Sequence, residues 1–546
     1  MTQAMPRRPL QADLLRIARR HFGFERFRTG QEPAIRALLQ GHDVLAVLPT
    51  GAGKSAIYQI AAAVMRGPTV VVSPLIALQR DQAERLESRE AGGAAIINSL
   101  IALPAQREAF DELARDTLEF LFLAPEQLQR REVLERLQGA RPSLFVVDEA
   151  HCISEWGHDF RPDYLRLAGV IRALGHPRVL ALTATATTRV REEIVERLAM
   201  QSPRIIVGDL DRPNIWLGVH QCRDAATKRQ KLIGAVQTAE KPGIVYVATR
   251  RRTVELAAAL GDVGVHAVCY HGGMSRRERE TAQQEFMTGA TAVVVATTAF
   301  GMGIDKSDVR FVYHFDVPGS LEAYYQALGR AGRDGRSARA LLFYRPEDLA
   351  LHKFFAGGGR LRAEDLETVA EALQIAGEVE LEALRHMTEL SRSTLAKAAT
   401  ELEDQGLITS RATGELWSGL GLADLHQATD TMRERQERLR RRLLQGLDRM
   451  RIYAELRDCR RRYLLEYFGQ ESQPCGRCDN CEAGLPRESV REDKPFPVKT
   501  RIAHKQLGKG MVVGYRAGHM NVLFDEGGEK TIDVAFARAH DLLSRA

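Results

Sequence analysis

Residues 49–55 read Pro49-Thr50-Gly51-Ala52-Gly53-Lys54-Ser55 and follow an apolar run, Val44–Leu48. A glycine-bearing turn between a buried strand and a helix aims backbone N–H groups at phosphate oxygens, and the helix N-terminus adds partial positive charge. Lys54 could reach the β and γ phosphates of a nucleotide, and Ser55 could hold Mg2+. The fuller phosphate-loop pattern begins with one more glycine, where this chain carries Leu48. A Gly-Lys-Ser triplet alone is often only a helix N-cap; its place after a buried strand favours phosphate. A second apolar run, Leu144–Val147, ends in Asp148-Glu149-Ala150-His151. Adjacent carboxylates can divide two tasks, Asp148 binding Mg2+ (usually through water) and Glu149 orienting and deprotonating an attacking water. Paired with the glycine loop, these acids point to hydrolysis of ATP rather than to a chance acidic strand end.

The segment that follows is Cys152-Ile153-Ser154-Glu155-Trp156-Gly157-His158-Asp159-Phe160-Arg161-Pro162. Trp156 and Phe160 offer stacking faces to bases and Arg161 a cation beside them. A buried Trp/Phe core pair is the plain alternative. Asp148–His151 resembles the DEAH box of superfamily 2 helicases, and the segment after it resembles the aromatic-rich loop of the RecQ family. The resemblance implies a loop that senses single-stranded DNA through Trp156, His158, Phe160 and Arg161 and signals to the ATP site. Phe22–Gln31 resembles the family's adenine-recognition segment, which implies that Phe24 and Arg28 sandwich the ring and that the Gln31 amide reads its edge. Ser73–Gln82 is similar to the strand-tracking motif, and Thr183-Ala184-Thr185 to the motif coupling hydrolysis to domain movement. Ala299–Lys306 resembles the fifth motif, in which Asp305 touches ribose or coordinates closure. Gln326–Gly335, Gln-Ala-Leu-Gly-Arg-Ala-Gly-Arg-Asp-Gly, implies that Arg330 and Arg333 reach across a cleft to the γ-phosphate, Arg333 as the arginine finger. For arginine-rich turns in general, a solvated face is the ordinary reading.

Cys459, Cys475, Cys478 and Cys481, with Tyr463–Gly469 between, resemble the RecQ zinc-binding module. Four thiolates can close a tetrahedral structural zinc site. An iron–sulfur cluster competes, since C-x-x-C-x-x-C also begins ferredoxin-type sites, but no cysteine follows Cys481 at the ferredoxin spacing. Seven cysteines in 546 residues make no disulfide framework.

Positioning these residues takes several domains. From about residue 40 to 345, near-continuous apolar runs alternate with helical stretches, as in parallel sheets buried on both faces. The span is too long for one sheet, so two α/β domains joined near 203–213 are expected. The expected architecture is α/β: RecA-like motor domains over 1–205 and 206–350, a winged helix over 360–420, a helical zinc-binding module over 424–486 and a small Tudor/SH3-like β-barrel over 498–546. Ser393 or Ser391 would cap a recognition helix, Thr394–Gln405, and one Arg-rich helical stretch would run from about Leu425 to Tyr467. That stretch could face phosphates, though a solvated face explains it as well. Common RecQ chains place zinc before the winged helix; here the order is reversed, which puts the strand-splitting hairpin in doubt. The terminal barrel resembles those appended to some bacterial helicases, which often bind proteins, and so implies a protein partner.

The charge balance, 77 Lys+Arg against 71 Asp+Glu for a net +6, suits nucleic acid without demanding it. Met1–Gln11 has no signal-like apolar core and no run reaches membrane-spanning length, so a cytoplasmic protein is expected, nucleoid-associated in a bacterium. The resemblance implies a RecQ-type ATP-dependent DNA helicase that uses ATP, Mg2+ and Zn2+, moves 3′ to 5′ on single-stranded DNA, and opens duplex or forked DNA in recombination and repair. Alternatives are an RNA helicase, a duplex-DNA translocase or remodelling factor, and a DNA-binding scaffold with an inert ATP site.

Overall fold

The computed structural model describes residues 11–65, 67–74, 76–87, 93–98, 101–115, 117–154, 161–301, 306–350, 361–376, 378–404, 408–410, 415–418, 422–485, 495–497, 500–516, 519–526, 528–540 and 542–545. Residues 11–482 belong to one unit and 483–546 to a second.

Seven runs pair in the first lobe: β1 Val44–Val47, β2 Thr69–Val72, β3 Gly93–Ile97, β4 Leu118–Leu123, β5 Leu144–Val147, β6 Arg178–Thr183 and β7 Arg204–Val207. All are parallel, in the order β3-β4-β2-β5-β6-β1-β7. β1, β2 and β5 are buried at every position because helices cover both faces. Strand alternation divides them between two apolar cores: Leu45, Val47, Phe145 and Val147 join one, Val44, Ala46, Leu144 and Val146 the other. Val47 is level with Thr183, and Val147 with Ala181. The loops after β1, β6 and β5 therefore open side by side at the carboxyl edge, where α/β sheets hold ligands.

The second lobe repeats the plan with β8 Ile215–Gln221, β9 Gly243–Tyr246, β10 Ala267–Tyr270, β11 Val293–Ala296, β12 Phe311–His314 and β13 Ala338–Tyr344. These are parallel too, in the order β10-β11-β9-β12-β13-β8. The junction expected over 203–213 is shorter, because Arg204–Val207 pairs with β1 as an edge strand. It lies at the sheet edge, with Ile205 48% exposed.

Three helices follow, Ala363–Ala376, Leu381–Thr388 and Arg392–Asp404, with a small antiparallel sheet of β14 Glu378–Glu380, β15 Ile408–Ser410 and β16 Glu415–Ser418. The Ser391 hydroxyl accepts the Thr394 N–H at 3.1 Å, so Ser391 is the cap and the helix starts at Arg392. The long arginine-rich stretch is not one helix. Leu422–Glu455 ends before Arg460–Tyr467 begins, and Cys459 caps the second, its sulfur accepting the Arg462 N–H. Tyr453, Leu464 and Phe468 of this region share one apolar core with β8, β13 and the helix Leu321–Leu328 of the second lobe.

In the second unit, β17 Arg501–His504, β18 Gly508–Arg516, β19 His519–Phe524, β20 Gly528–Asp533 and β21 Leu543–Arg545 make an antiparallel sheet around Ile502, Val512, Val522 and Phe524. Among the described residues no helix is long and apolar enough to cross a membrane.

Candidate active site

The loop after β1 turns back over the sheet edge. Gly51 (φ 84°) and Gly53 (φ 72°) take left-handed conformations that side chains resist. Leu48 fits where the fuller loop pattern has glycine because its side chain lies against two other glycines, Gly30 and Gly208. Lys54 donates to Leu48 O at 3.4 Å, and Ser55 begins the next helix.

The acids come from the neighbouring strand ends. Asp148 is buried, with the Ser73 hydroxyl 3.5 Å from its carboxylate. Burial, then the Glu149 charge, push its carboxyl up to about 7 against the pull of Lys54. Glu149 sits at φ 48°, a strained setting for a residue with a side chain. Its Oε2 is buried with no hydrogen-bond donor on it among the described residues; His151 Nδ1 is 3.4 Å away without hydrogen-bond geometry. His151 instead meets Thr183 Oγ1 at 3.0 Å, linking this strand end to Thr183-Ala184-Thr185.

The second lobe supplies cations opposite. Arg330 and Arg333 follow the helix Leu321–Leu328 and line one cavity of about 210 Å³ with Thr50, Lys54, Asp148 and Glu149. Arg333 lies closest to the loop, its Cγ 3.3 Å from where a Gly51 side chain would start. Two carboxylates and an ammonium on one wall thus face two guanidinium groups on the other. That arrangement can hold a polyphosphate and activate a water at its end.

The segment Phe22–Gln31 lies beside this loop. Arg28 Nη1 donates to Gly51 O, and Gln31 Nε2 to Ala52 O and Gly53 O, each at 2.9 Å. Phe24 stacks on Phe22 at 6.1 Å between centroids. In this arrangement Arg28 and Gln31 brace the loop. Trp156, His158 and Phe160 lie outside the described residues, as does Asp305. Arg161 is placed, donating to Pro74 O at 3.3 Å, which ties the end of that loop to the segment after β2.

The four cysteine sulfurs lie within 4.8 Å of one another, and Cys475 Sγ is 3.9 Å from Cys481 Sγ. Tetrahedral zinc with Zn–S bonds near 2.3 Å places its sulfurs roughly 3.8 Å apart, so the set fits the ion. The Cys475 N–H points at Cys459 Sγ (3.2 Å) and the Arg477 N–H at Cys475 Sγ (3.5 Å), the donor pattern that thiolates attract.

A DEAD/DEAH box helicase family model matches residues 28–194, a helicase conserved C-terminal domain model 227–335 and a RecQ zinc-binding model 422–482. The chain is 41% identical over 354 residues to the probable ATP-dependent DNA helicase RecS of Bacillus subtilis (strain 168), covering 65% of this chain and 71% of that one. It is 33% identical over 507 residues to the ATP-dependent DNA helicase RecQ of the same organism, covering 92% and 72%. The chain belongs to the RecQ family of helicases. It spans 54% of the length of some other curated RecQ relatives. The fold is shared with the helicase Lhr of Mycobacterium smegmatis, solved with ssDNA and AMP-PNP, at 20% identity and a TM-score of 0.50 over 76% of this chain and 61% of that one.

This RecQ-family cleft also contains residues that sequence reading passed over. Tyr58, one turn after Ser55, donates to Gln82 Oε1 at 2.8 Å, and both line the cavity with Arg85. The helical spacing Ser55 to Tyr58 was the available signal. Arg212, in the stretch taken as a plain junction, reaches both walls. The Asp-Arg-Pro-Asn run at 211–214 carried no chemistry that spacing alone could show.

Proposed function

We propose that this chain is an ATP-dependent DNA helicase that moves 3′ to 5′ on single-stranded DNA and unwinds duplex or forked DNA, serving recombination and repair. The observation that carries the reading is the convergence of Lys54, Asp148 and Glu149 from one lobe with Arg330 and Arg333 from the other on one cavity. ATP binds with its terminal phosphates between them. Lys54 and the loop N–H groups hold the β and γ phosphates. Mg2+ suits the Ser55 hydroxyl and the Asp148 carboxylate, whose buried charge lacks a full counter-charge; when bound, it neutralises phosphate charge. Glu149, its Oε2 open to a donor, orients and deprotonates the water. Arg333 stabilises charge at the γ-phosphate and Arg330 supports it. Phosphate loss releases the clamp between the lobes, and the reopening moves DNA lying across both. The winged-helix-like segment binds duplex ahead of the motor, zinc stabilises the module beside it, and the terminal sheet unit takes a protein partner.

The test is strand separation of a DNA duplex bearing a 3′ or a 5′ overhang, and of the matching RNA duplex, with wild type and Lys54→Ala. Wild type is expected to open the 3′-tailed DNA at least about tenfold faster than the 5′-tailed DNA or RNA, and Lys54→Ala to open none. DNA-stimulated ATP hydrolysis without separation would favour a duplex translocase instead.

A further inference from the structure

A chain of polar contacts runs from the helix capped by Cys459 to the turn that bears Arg330 and Arg333. At its centre Arg212 donates to Gly329 O (3.0 Å), Ala331 O (2.7 Å) and Gly332 O (3.0 Å), and reaches Thr50 O of the phosphate loop at 3.4 Å. Asn214 adds bonds to Gly332 O and Arg336 O, each 2.8 Å. The planar five-donor fork of an arginine serves carbonyls spread along a turn in one fixed geometry, which the three donors of a lysine ammonium on a flexible stem do not reproduce. Arg212 belongs to the linker between the lobes yet touches both edges of the cleft.

The zinc module grips the same linker from the other side. Arg461, 5% exposed, lies in the first turn of the helix that Cys459 caps and donates to Asp211 Oδ1 and to Ile215 O, both at 2.5 Å. Gln470 accepts the Leu210 N–H at 3.0 Å and donates to Asp209 at 2.8 Å. The module also reaches the first lobe, where Arg191 donates to Phe468 O at 2.8 Å. Every linker residue from Asp209 to Asn214 except Pro213 is thus bonded to the zinc module or to the arginine turn.

We infer that the zinc module and the nucleotide cleft are coupled through Arg461, Asp211 and Arg212, which together position the arginine turn against the phosphate loop. The inference rests on the ATPase reading above. Closure of the lobes on a nucleotide shifts the carbonyls that Arg212 holds, and the shift passes through Asp211 to Arg461, on the helix whose first turn Cys459 caps. Coupling between two sites is reciprocal, so nucleotide must alter the zinc site by the same free energy with which the zinc site alters nucleotide binding. A buried ion pair that merely holds the module in place predicts no such effect.

The experiment measures the equilibrium partition of zinc between the full-length, zinc-loaded protein and a chromogenic chelator, with single-stranded DNA present and with or without AMP-PNP. In wild type the nucleotide should change the apparent zinc affinity at least about threefold. Asp211→Asn and, separately, Arg212→Lys should remove that nucleotide effect; two variants guard against one failing to fold. Both should lower DNA-stimulated kcat about tenfold while moving the KM for ATP less than about twofold, as expected for lost positioning rather than lost binding. Wild-type protein that hydrolyses ATP on DNA but holds zinc with one affinity with and without AMP-PNP overturns the coupling and leaves the helicase reading intact. An undiminished nucleotide effect in both variants overturns it as well.

Discussion

At the scale of single residues, the reading turns on charges held at unusual cost. Asp148 is a carboxyl that burial and Glu149 push up to about 7. In the metal-free fold, protons and Mg2+ therefore compete for it. The apparent affinity for Mg2+ in ATP hydrolysis should weaken about tenfold per unit as pH falls below about 7, and level off above it. The stability sign follows from the same shift. The folded carboxyl titrates above its unfolded value near 3.9, so Asp148 destabilises the metal-free protein increasingly as pH rises from about 4 to 7. Asp148→Asn should raise Tm at pH 8 in the absence of Mg2+ and leave it unchanged at pH 4.5 by differential scanning fluorimetry. Lys54→Ala removes the ammonium nearest the phosphates; hydrolysis should fall at least about 1000-fold with single-stranded DNA binding retained within about threefold. These residues were legible because each sits at the end of a buried apolar run. Arg212 was not, since its partners are backbone carbonyls 117 to 162 positions away that no local pattern reveals.

At the scale of elements, strands buried on both faces announced themselves as continuous apolar runs, and the carboxyl-edge loops followed from them. The misses have physical causes. β7 carries an apolar run, Ile205-Ile206-Val207, but as an exposed edge strand at the junction of the lobes it is assigned only by its pairing with β1. The break between Leu422–Glu455 and Arg460–Tyr467 is imposed by Cys459, whose sulfur must face the other three, while the arginine-rich sequence on either side continues unchanged. The phosphate loop itself is tightly constrained. A methyl at Gly51 meets both φ 84° and the Arg333 stem 3.3 Å away. Gly51→Ala should cost at least about tenfold in kcat with Tm lowered by only a few degrees. The zinc module shares a core with the second lobe through Tyr453, Leu464, Phe468 and Cys478. Chelation of zinc, or Cys478→Ala, should therefore lower Tm by at least about 5 °C and loosen the second lobe first, seen as early hydrogen exchange in β8 and β13.

At the scale of the whole molecule, the chain places its three-helix, three-stranded segment before the cysteine cluster, and that order was readable from the sequence. The order of strands within each sheet and the grip of the zinc module on the linker were not; both depend on pairing between distant segments. What the folded unit 11–482 achieves is opposition, with carboxylates and an ammonium on one wall and guanidinium groups on the other. The direct test is DNA-stimulated ATP hydrolysis by Arg333→Ala beside wild type, with nucleotide affinity measured on the same preparations. The account predicts a kcat lowered by about 1000-fold and ATP affinity within about fivefold of wild type. Hydrolysis by Arg333→Ala at the wild-type rate would contradict it.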